Sequence, residues 1–245
     1  MEIQVVSHKE RPEFSGRLSE LEGESFPEFL LHDGFDECRP HLLGEFARYQ
    51  LYIVDNVGGN LLGAANALPY FRQADEPLPK FQQLLTTAPE QFRQGIVPNV
   101  LCPVQAMVID DARGSGVSDR IISAYKDLAS ADSLKAICVP VRPTLKPLYP
   151  LAPIERYVTW TRENGEKFDP WLRMQERTGA EFTEIACDST VITAPVSDWE
   201  AWTGMRFPEN GEYVIQGGHV PLVIDCENDT GRYSEPHVWY TYQLG

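Results

Sequence analysis

The residues best suited to chemistry lie in the segment 113–118, Arg-Gly-Ser-Gly-Val-Ser, between an apolar run and an amphipathic stretch. Residues 101–109 are predicted to form a buried strand, and residues 119–131 a helix. Gly114 and Gly116 allow the backbone to approach a ligand closely, so that several amide N–H groups point at one place. Those groups and the positive end of the helix dipole suit a phosphate or pyrophosphate. The alternative is an ordinary strand-to-helix connection, which the spacing alone leaves open.

Two common phosphate-binding motifs do not fit this segment. A P-loop needs Gly-Lys-Ser/Thr after its glycines, and no lysine occurs between Lys80 and Lys126. A dinucleotide-binding fingerprint needs a third glycine where Asp119 stands. The segment therefore predicts neither a P-loop nor a Rossmann site.

The segment resembles the acyl-CoA loop of the GNAT acetyltransferase superfamily, whose pattern is Arg/Gln-x-x-Gly-x-Gly/Ala. Arg113-x-x-Gly116-x-Ser118 fits this pattern, with serine in place of the last small residue. The resemblance implies that the loop amides hold the pyrophosphate of acetyl-CoA or another acyl-CoA, which acts as co-substrate without a metal. It assigns coenzyme A contacts to the end of the strand and to the loop, at Met107, Val108, Ile109, Arg113, Gly114, Ser115, Gly116, Val117 and Ser118.

The same resemblance assigns a catalytic acid. In GNAT enzymes the strand after the loop helix is followed by an Asn and, seven residues later, by a Tyr that often protonates the departing thiolate. Arg142 stands at the Asn position here, and Tyr149 lies seven residues further on. A phenol is a suitable acid for a thiolate leaving group. Tyr149 is therefore predicted to be catalytic and Arg142 to bind substrate; the alternative for Tyr149 is a residue at the edge of the core.

A narrower resemblance rests on Arg142-Pro143-Thr144 and on residues 168–173. Both look like segments of a GNAT branch that includes standalone bacterial proteins and the loading domains of curacin-type polyketide synthases. Those domains decarboxylate malonyl-type thioesters with a Thr and a His. Thr144 falls on the Thr position and is a catalytic candidate, whereas Gln175 stands where the His is expected. Because a neutral amide cannot donate a proton as an imidazolium can, Gln175 is predicted to bind substrate instead.

Two histidines are candidates for a general base, because an imidazole can take a proton from an ammonium group near neutral pH. His219 follows two glycines at the approach to a predicted strand and is placed among the catalytic candidates. His237 precedes an aromatic strand and is placed among the substrate-binding candidates, together with Phe26 of the N-terminal segment. For each histidine the alternative is a hydrogen-bonded structural residue.

The composition restricts the class of protein and its partners. The formal net charge of −15 argues against nucleic acid and anionic membrane surfaces as partners. The five cysteines are widely spaced and form no C-x-x-C pair, so neither a zinc site nor a disulfide framework is indicated. No signal peptide is recognisable, and no window approaches the roughly 18 apolar residues of a membrane span. These features predict a soluble cytoplasmic protein and leave its oligomeric state open, a homodimer included.

Hydrophobic periodicity predicts a chain of short strands and helices. Residues 1–36 are predicted to be helix and loop. A hairpin is predicted around the turn 57–60, and a right-handed βαβ unit ends in a buried strand at 134–141. Prolines exclude a regular helix directly after that unit. The remaining predicted elements are the hairpin strands 51–55 and 61–68, helices at 40–46, 81–92 and 168–177, and strands at 183–193, 212–215, 220–225 and 237–243.

This order of elements predicts an α+β protein, and the resemblance implies the GNAT fold: a central, mixed and twisted β-sheet with helices on both faces and a β-rich C-terminal part. No linker divides the chain, so residues 1–245 are predicted to be a single domain. An acyl-CoA-binding core is expected at about 50–150 and a substrate-side part at about 151–245. The predicted function is acyl transfer from acyl-CoA, first as an N-acetyltransferase, to a small-molecule or carrier-bound acceptor. Two alternatives remain: a malonyl-type decarboxylase or S-acyltransferase of secondary metabolism, and a non-catalytic CoA-binding protein.

Overall fold

The computed structural model describes residues 3–56, 59–74, 76–112 and 114–245. Nine strands lie within these ranges: β1 (Ile3–Ser7), β2 (Leu51–Asp55), β3 (Leu61–Tyr70), β4 (Val100–Val108), β5 (Ala136–Val141), β6 (Glu181–Ala194), β7 (Gly211–Tyr213), β8 (Leu222–Asp225) and β9 (Thr230–Gln243). The α-helices in the same ranges are α1 (Leu18–Ser25), α2 (Phe35–Leu43), α3 (Phe81–Arg93), α4 (Val117–Ala131), α5 (Ile154–Tyr157), α6 (Pro170–Arg177) and α7 (Val196–Thr203). None of these helices is long and apolar enough to cross a membrane.

The strands form one mixed sheet in the order β1-β2-β3-β4-β5-β9-β8-β7, and β6 pairs with β9 outside this path. β4 and β5 are parallel, and the other pairs are antiparallel. One edge of β9 pairs with β8 at 230–232 and with β5 at 238–243. Between these two stretches, residues 233–235 and His237 are paired with β6 alone in the described chain. This gap in the sheet is where the site lies.

Helices cover both faces of the sheet. Alternate side chains of a strand point to opposite faces, and those of β2 enter two separate apolar clusters. Leu51 and Ile53 pack into the largest cluster, with buried residues of α2, α3 and α4. Tyr52 and Val54 pack into a second cluster with Leu18 of α1. The α+β class, the mixed sheet and the helices on both faces confirm the predicted fold class.

Several predicted elements are confirmed. The hairpin of β2 and β3 is present, although residues 57 and 58 of its predicted turn lie outside the described residues. The βαβ unit is present as β4, α4 and β5, with the two strands parallel. The helix predicted at 168–177 is α6, which begins where the Asp169 side chain accepts hydrogen bonds from the amides of Trp171 and Leu172. After β5 the prolines leave only the short 3₁₀ helix Lys146–Leu148 and α5, as expected.

Four predictions about elements were wrong. β1 is an edge strand in a segment expected to be helix and loop, since pairing with β2 outweighs its short length. The helix predicted at 40–46 is α2, which begins at Phe35 and contains Pro40. α7 was missed among the late strands. β9 begins at Thr230 rather than 237, because its pairing with β6 extends the strand through Pro236.

Candidate active site

The site begins where β4 and β5 separate. These parallel strands are paired at Val100–Ala136 and Leu101–Ile137, and the register of β4 against β3 then skips Val104, which forms a bulge. A bulge bends its strand and interrupts regular pairing. Beyond Leu101, the edge of β4 that faces β5 therefore has no strand partner in the described chain, and its main-chain N–H and C=O groups are available. The separation opens a cavity of about 850 Å³.

The loop before α4 forms one wall of this cavity. Gly114 and Gly116 have φ angles of 76° and 86°, the left-handed region that favours glycine. A Cβ placed on either residue would meet nothing within 4 Å, so both glycines border open space. α4 begins at Val117 without a side-chain cap. The amides of its first turn are therefore available to an anion in the cavity, as the sequence predicted for a pyrophosphate.

The predicted coenzyme A contacts fall into three groups. Six of them line the cavity: Met107, Val108, Gly114, Gly116, Val117 and Ser118. Ile109 packs against the core instead, and the Ser115 hydroxyl donates to the Ala112 carbonyl (2.6 Å). Arg113 lies outside the described residues.

Gln175 of α6 also lines the cavity and is completely buried. Its Oε1 accepts a hydrogen bond from the Tyr242 hydroxyl (2.7 Å), which is also within 2.7 Å of Thr178 Oγ1. Its Nε2 has no hydrogen-bond partner among the described residues. A buried amide donor without a partner is unfavourable unless a ligand supplies the acceptor. Thr144 lines the same cavity from the segment after β5.

Arg142 and Glu235 form an ion pair at the gap in the sheet. Arg142 Nε donates to Glu235 Oε1 (2.9 Å), and its Nη2 donates to the Gly217 carbonyl (2.7 Å). Tyr233 donates its hydroxyl hydrogen to Glu235 Oε2 (2.5 Å). Burial acts to raise the pKa of Glu235, but the Arg142 guanidinium outweighs it and lowers that pKa to about 2. Glu235 is therefore an anion committed to Arg142 at neutral pH.

His237 lies two residues further along β9 and also lines the cavity. Its ring stacks on Phe81, with the ring centroids 5.1 Å apart, and its Nδ1 has no partner among the described residues. Burial lowers the pKa of His237 to about 4, against the opposing effect of Glu235. The imidazole is therefore neutral near pH 7. Phe26, the apolar substrate-binding candidate, lines the cavity as well.

Tyr149 and His219 are not brought to the cavity wall. The Tyr149 ring packs among aromatic residues outside it, with its centroid 5.0 Å from that of Trp160. His219 is fully buried, its carbonyl accepts a hydrogen bond from Lys146 Nζ (2.5 Å), and its amide donates to the Tyr233 hydroxyl (2.8 Å). Both contacts are made by the main chain of His219, and neither ring nitrogen has a hydrogen-bond partner among the described residues. The catalytic roles of both residues stay predictions from the sequence.

Sequence reasoning missed the acidic residues that the N-terminal segment contributes to the cavity. Glu22 of α1, Asp33 and Asp36 all line it. Arg39 Nη2 lies 2.7 Å from Glu22 and 2.5 Å from Asp36. The signal in the sequence was weak, because Asp33 before Gly34 is typical of a residue that caps a helix start.

No protein-family model matches the chain. It is 30% identical over 224 residues to Arginine N-acetyltransferase avaD of Aspergillus versicolor, and the match covers 81% of this chain and 77% of that protein.

Three solved structures share the fold. The loading GNATL domain of CurA from Lyngbya majuscula has a TM-score of 0.63 at 15% identity, over 99% of this chain and 98% of that one. The GphF GNAT-like decarboxylase in complex with isobutyryl-CoA has a TM-score of 0.55 at 17% identity, and arylalkylamine N-acetyltransferase 2 from Aedes aegypti has 0.52 at 13%; both matches cover 100% of each chain.

The chain therefore belongs to the GNAT superfamily, as the resemblance of the loop implied. Within that superfamily it is an acyl-CoA-dependent N-acetyltransferase, which confirms the predicted enzyme class.

Proposed function

We propose that this enzyme transfers the acetyl group of acetyl-CoA to an amine of a small cationic acceptor, with arginine as the first candidate. The observation that carries the proposal is the charge of the cavity between β4 and β5. Five carboxylates and three guanidinium groups line it, a net charge of −2 when all are ionised: Glu22, Asp33, Asp36, Asp119 and Glu235 against Arg39, Arg142 and Arg177. Such an excess of negative charge attracts ammonium and guanidinium groups. The relative from A. versicolor is named for arginine.

Acetyl-CoA, which supplies the activated acetyl group as a thioester, fits the other side of the cavity. The open space beside Gly114 and Gly116 and the uncapped first turn of α4 suit the pyrophosphate. The unpaired edge of β4 offers main-chain N–H and C=O groups to the amides of the pantetheine arm. Met107 and Val108 of that strand would then contact coenzyme A.

Gln175 provides a polar contact in the cavity. Because Tyr242 fixes its Oε1, the Nε2 hydrogens are directed to the side without a protein acceptor. We place a carbonyl oxygen of the acyl-CoA there, since this would satisfy the buried donor. Thr144 and His237 lie on the same wall and would contact the acetyl group or the acceptor.

The decisive experiment compares arginine with citrulline, which has the same shape but a neutral urea group in place of the guanidinium. Coenzyme A release and mass spectrometry of the acceptor report transfer. We expect acetylation of arginine, with kcat/KM at least about tenfold higher than for citrulline, the value of one partly exposed charge contact. Equal use of both acceptors would show that the acidic wall does not select the substrate. Conversion of malonyl-CoA to acetyl-CoA without an acceptor would instead support the decarboxylase alternative.

A further inference from the structure

Asp33 differs from the other carboxylates that line the cavity, because it has no cationic partner in the described chain. Glu22 and Asp36 share Arg39, and the two remaining carboxylates, Asp119 and Glu235, each have an arginine partner. Asp33 Oδ1 accepts one hydrogen bond, from the amide of Phe35 (2.9 Å). Its second carboxylate oxygen, Oδ2, has no hydrogen-bond partner among the described residues. A carboxylate held this way at the wall of a substrate cavity is open to a ligand.

The surroundings of Asp33 favour its protonated form more than those of an ordinary surface carboxylate. Burial raises the pKa of Asp33 to about 7, and the negative charges of Glu235, Asp36 and Glu37 act in the same direction, against the Phe35 amide. Other charged or titratable groups also face this region from the packed elements: Glu22 of α1, Arg39 of α2, Arg142 after β5 and His237 of β9. A base whose pKa lies near the working pH is the most effective in proton transfer.

The other candidates on this wall are poorly matched to that role. Glu235 is committed to Arg142 and Tyr233. The pKa of His237 is lowered to about 4, so its imidazole is too weak a base to take up a proton near pH 7. Tyr149 and His219 do not reach the cavity. Asp33 is the carboxylate on the wall that is both available and suitably basic.

We propose that Asp33 is the general base that takes a proton from the acceptor ammonium, directly or through one water. This inference rests on the cationic acceptor of the proposed function. The amine nitrogen, once neutral, uses its lone pair to form the bond to the acetyl carbon, and the carbon–sulfur bond breaks with its electron pair on sulfur. The nitrogen then loses a second proton, and the thiolate takes up one proton and leaves as the thiol of coenzyme A. Asp33 passes the first proton to solvent, so one proton is released for each acetyl group transferred.

The test is the pH dependence of kcat/KM with arginine and acetyl-CoA for five proteins: wild type, Asp33→Asn, Asp33→Ser, Asp33→Glu and Glu37→Gln. Wild type should lose activity as the pH falls through about 7. Asp33→Asn should reduce kcat/KM on the order of a hundredfold, the usual contribution of a general base, and should lose this acidic limb. Asp33→Glu should restore part of the rate together with the limb. Glu37→Gln is the matched control, since Glu37 lies outside the cavity wall. Its rate should be near wild type. The midpoint of its acidic limb should move to a slightly lower pH, because one negative charge near Asp33 is gone.

Loss of folding would not explain the expected result. Both Asn and Ser retain an acceptor for the Phe35 amide, so Asp33→Asn and Asp33→Ser should bind acetyl-CoA as wild type does. Rates within threefold of wild type, or an acidic limb that persists in either variant, would overturn the role of Asp33 while leaving the acceptor assignment intact. A wild-type enzyme that binds acetyl-CoA but acetylates no cationic amine would instead overturn the proposed function, and the inference with it.

Discussion

The ion pair between Arg142 and Glu235 gives a prediction about stability that can be worked out from the structure. Glu235 is 1% exposed, and its carboxylate accepts hydrogen bonds from Arg142 Nε and the Tyr233 hydroxyl. The Glu235→Gln substitution keeps the shape of the side chain but removes the charge, so it imitates the protonated acid. Arg142 would then keep neutral acceptors, the Gly217 carbonyl and the Gln side-chain oxygen, but its largely buried charge would lose its anionic partner. Removing one partner of a buried ion pair is strongly destabilising.

The magnitude follows from the pKa of Glu235, which is lowered from 4.5 to about 2. This difference corresponds to about 3 kcal/mol of folding free energy at pH 7. Because the folded pKa is the lower one, the contribution is fully present above about pH 4.5 and is lost as the pH falls towards 2. The free energy of unfolding of Glu235→Gln should therefore be about 3 kcal/mol below wild type at pH 7 and about 2 kcal/mol below it at pH 3.5.

Urea denaturation followed by tryptophan fluorescence measures both values. Glu200→Gln is a suitable control, because Glu200 pairs with the exposed Arg206 at the surface. Glu200→Gln should lose much less stability than Glu235→Gln, because an exposed ion pair contributes little. The reasoning fails if Glu235→Gln loses less than about 1 kcal/mol at pH 7, or if the difference from wild type does not shrink as the pH is lowered.

Three further predictions concern the cavity. Gly116→Val and Gly204→Val both place a side chain at a positive φ with open space around it, so each should lose about 1–2 kcal/mol of stability. Because only Gly116 lines the cavity, only Gly116→Val should weaken acetyl-CoA binding in calorimetry. Gln175→Leu should raise the KM for acetyl-CoA about tenfold with less than about 1 kcal/mol lost in thermal unfolding, because Tyr242 keeps Thr178 as a partner. Tyr149→Phe should retain at least about half of kcat, since its ring packs outside the cavity; a loss of the order expected for a catalytic acid, about a hundredfold, would restore that role to the phenol.

Much of the fold was predictable because the decisive signals are local. The apolar runs of β4 and β5, the turn glycines between them and the periodicity of α4 lie within forty-odd consecutive residues, about the length of one βαβ unit. The resemblance to GNAT loops lies in the same stretch. β1 and the first half of β9 were missed since each is a strand only through its partners: β1 through β2, and the start of β9 through β6 and β8.

The acceptor side of the site was predictable only in part. Arg142, Thr144, Gln175 and His237 were identified in the sequence, and all four line the cavity. The partners of these residues could not be identified in the sequence. Glu235, for example, is 93 residues from Arg142 in the chain, and no local pattern links the two. The prolines around Tyr149 indicated an irregular segment, yet only packing against Trp160 shows which way the ring faces.

The sequence by itself indicated the superfamily and the class of enzyme, because the resemblance rests on a short loop motif whose residues are consecutive in the chain. The coenzyme A contacts of that loop stay a prediction. Only the tertiary structure decided where β4 and β5 part and which charges meet in the cavity they open. Asp33 illustrates the difference. In the sequence it is one acidic residue before a glycine, and its pKa is raised to about 7 only when folding buries it near Glu235 and Asp36. Burial and charge–charge interactions depend on distances in space, which the order of residues does not state.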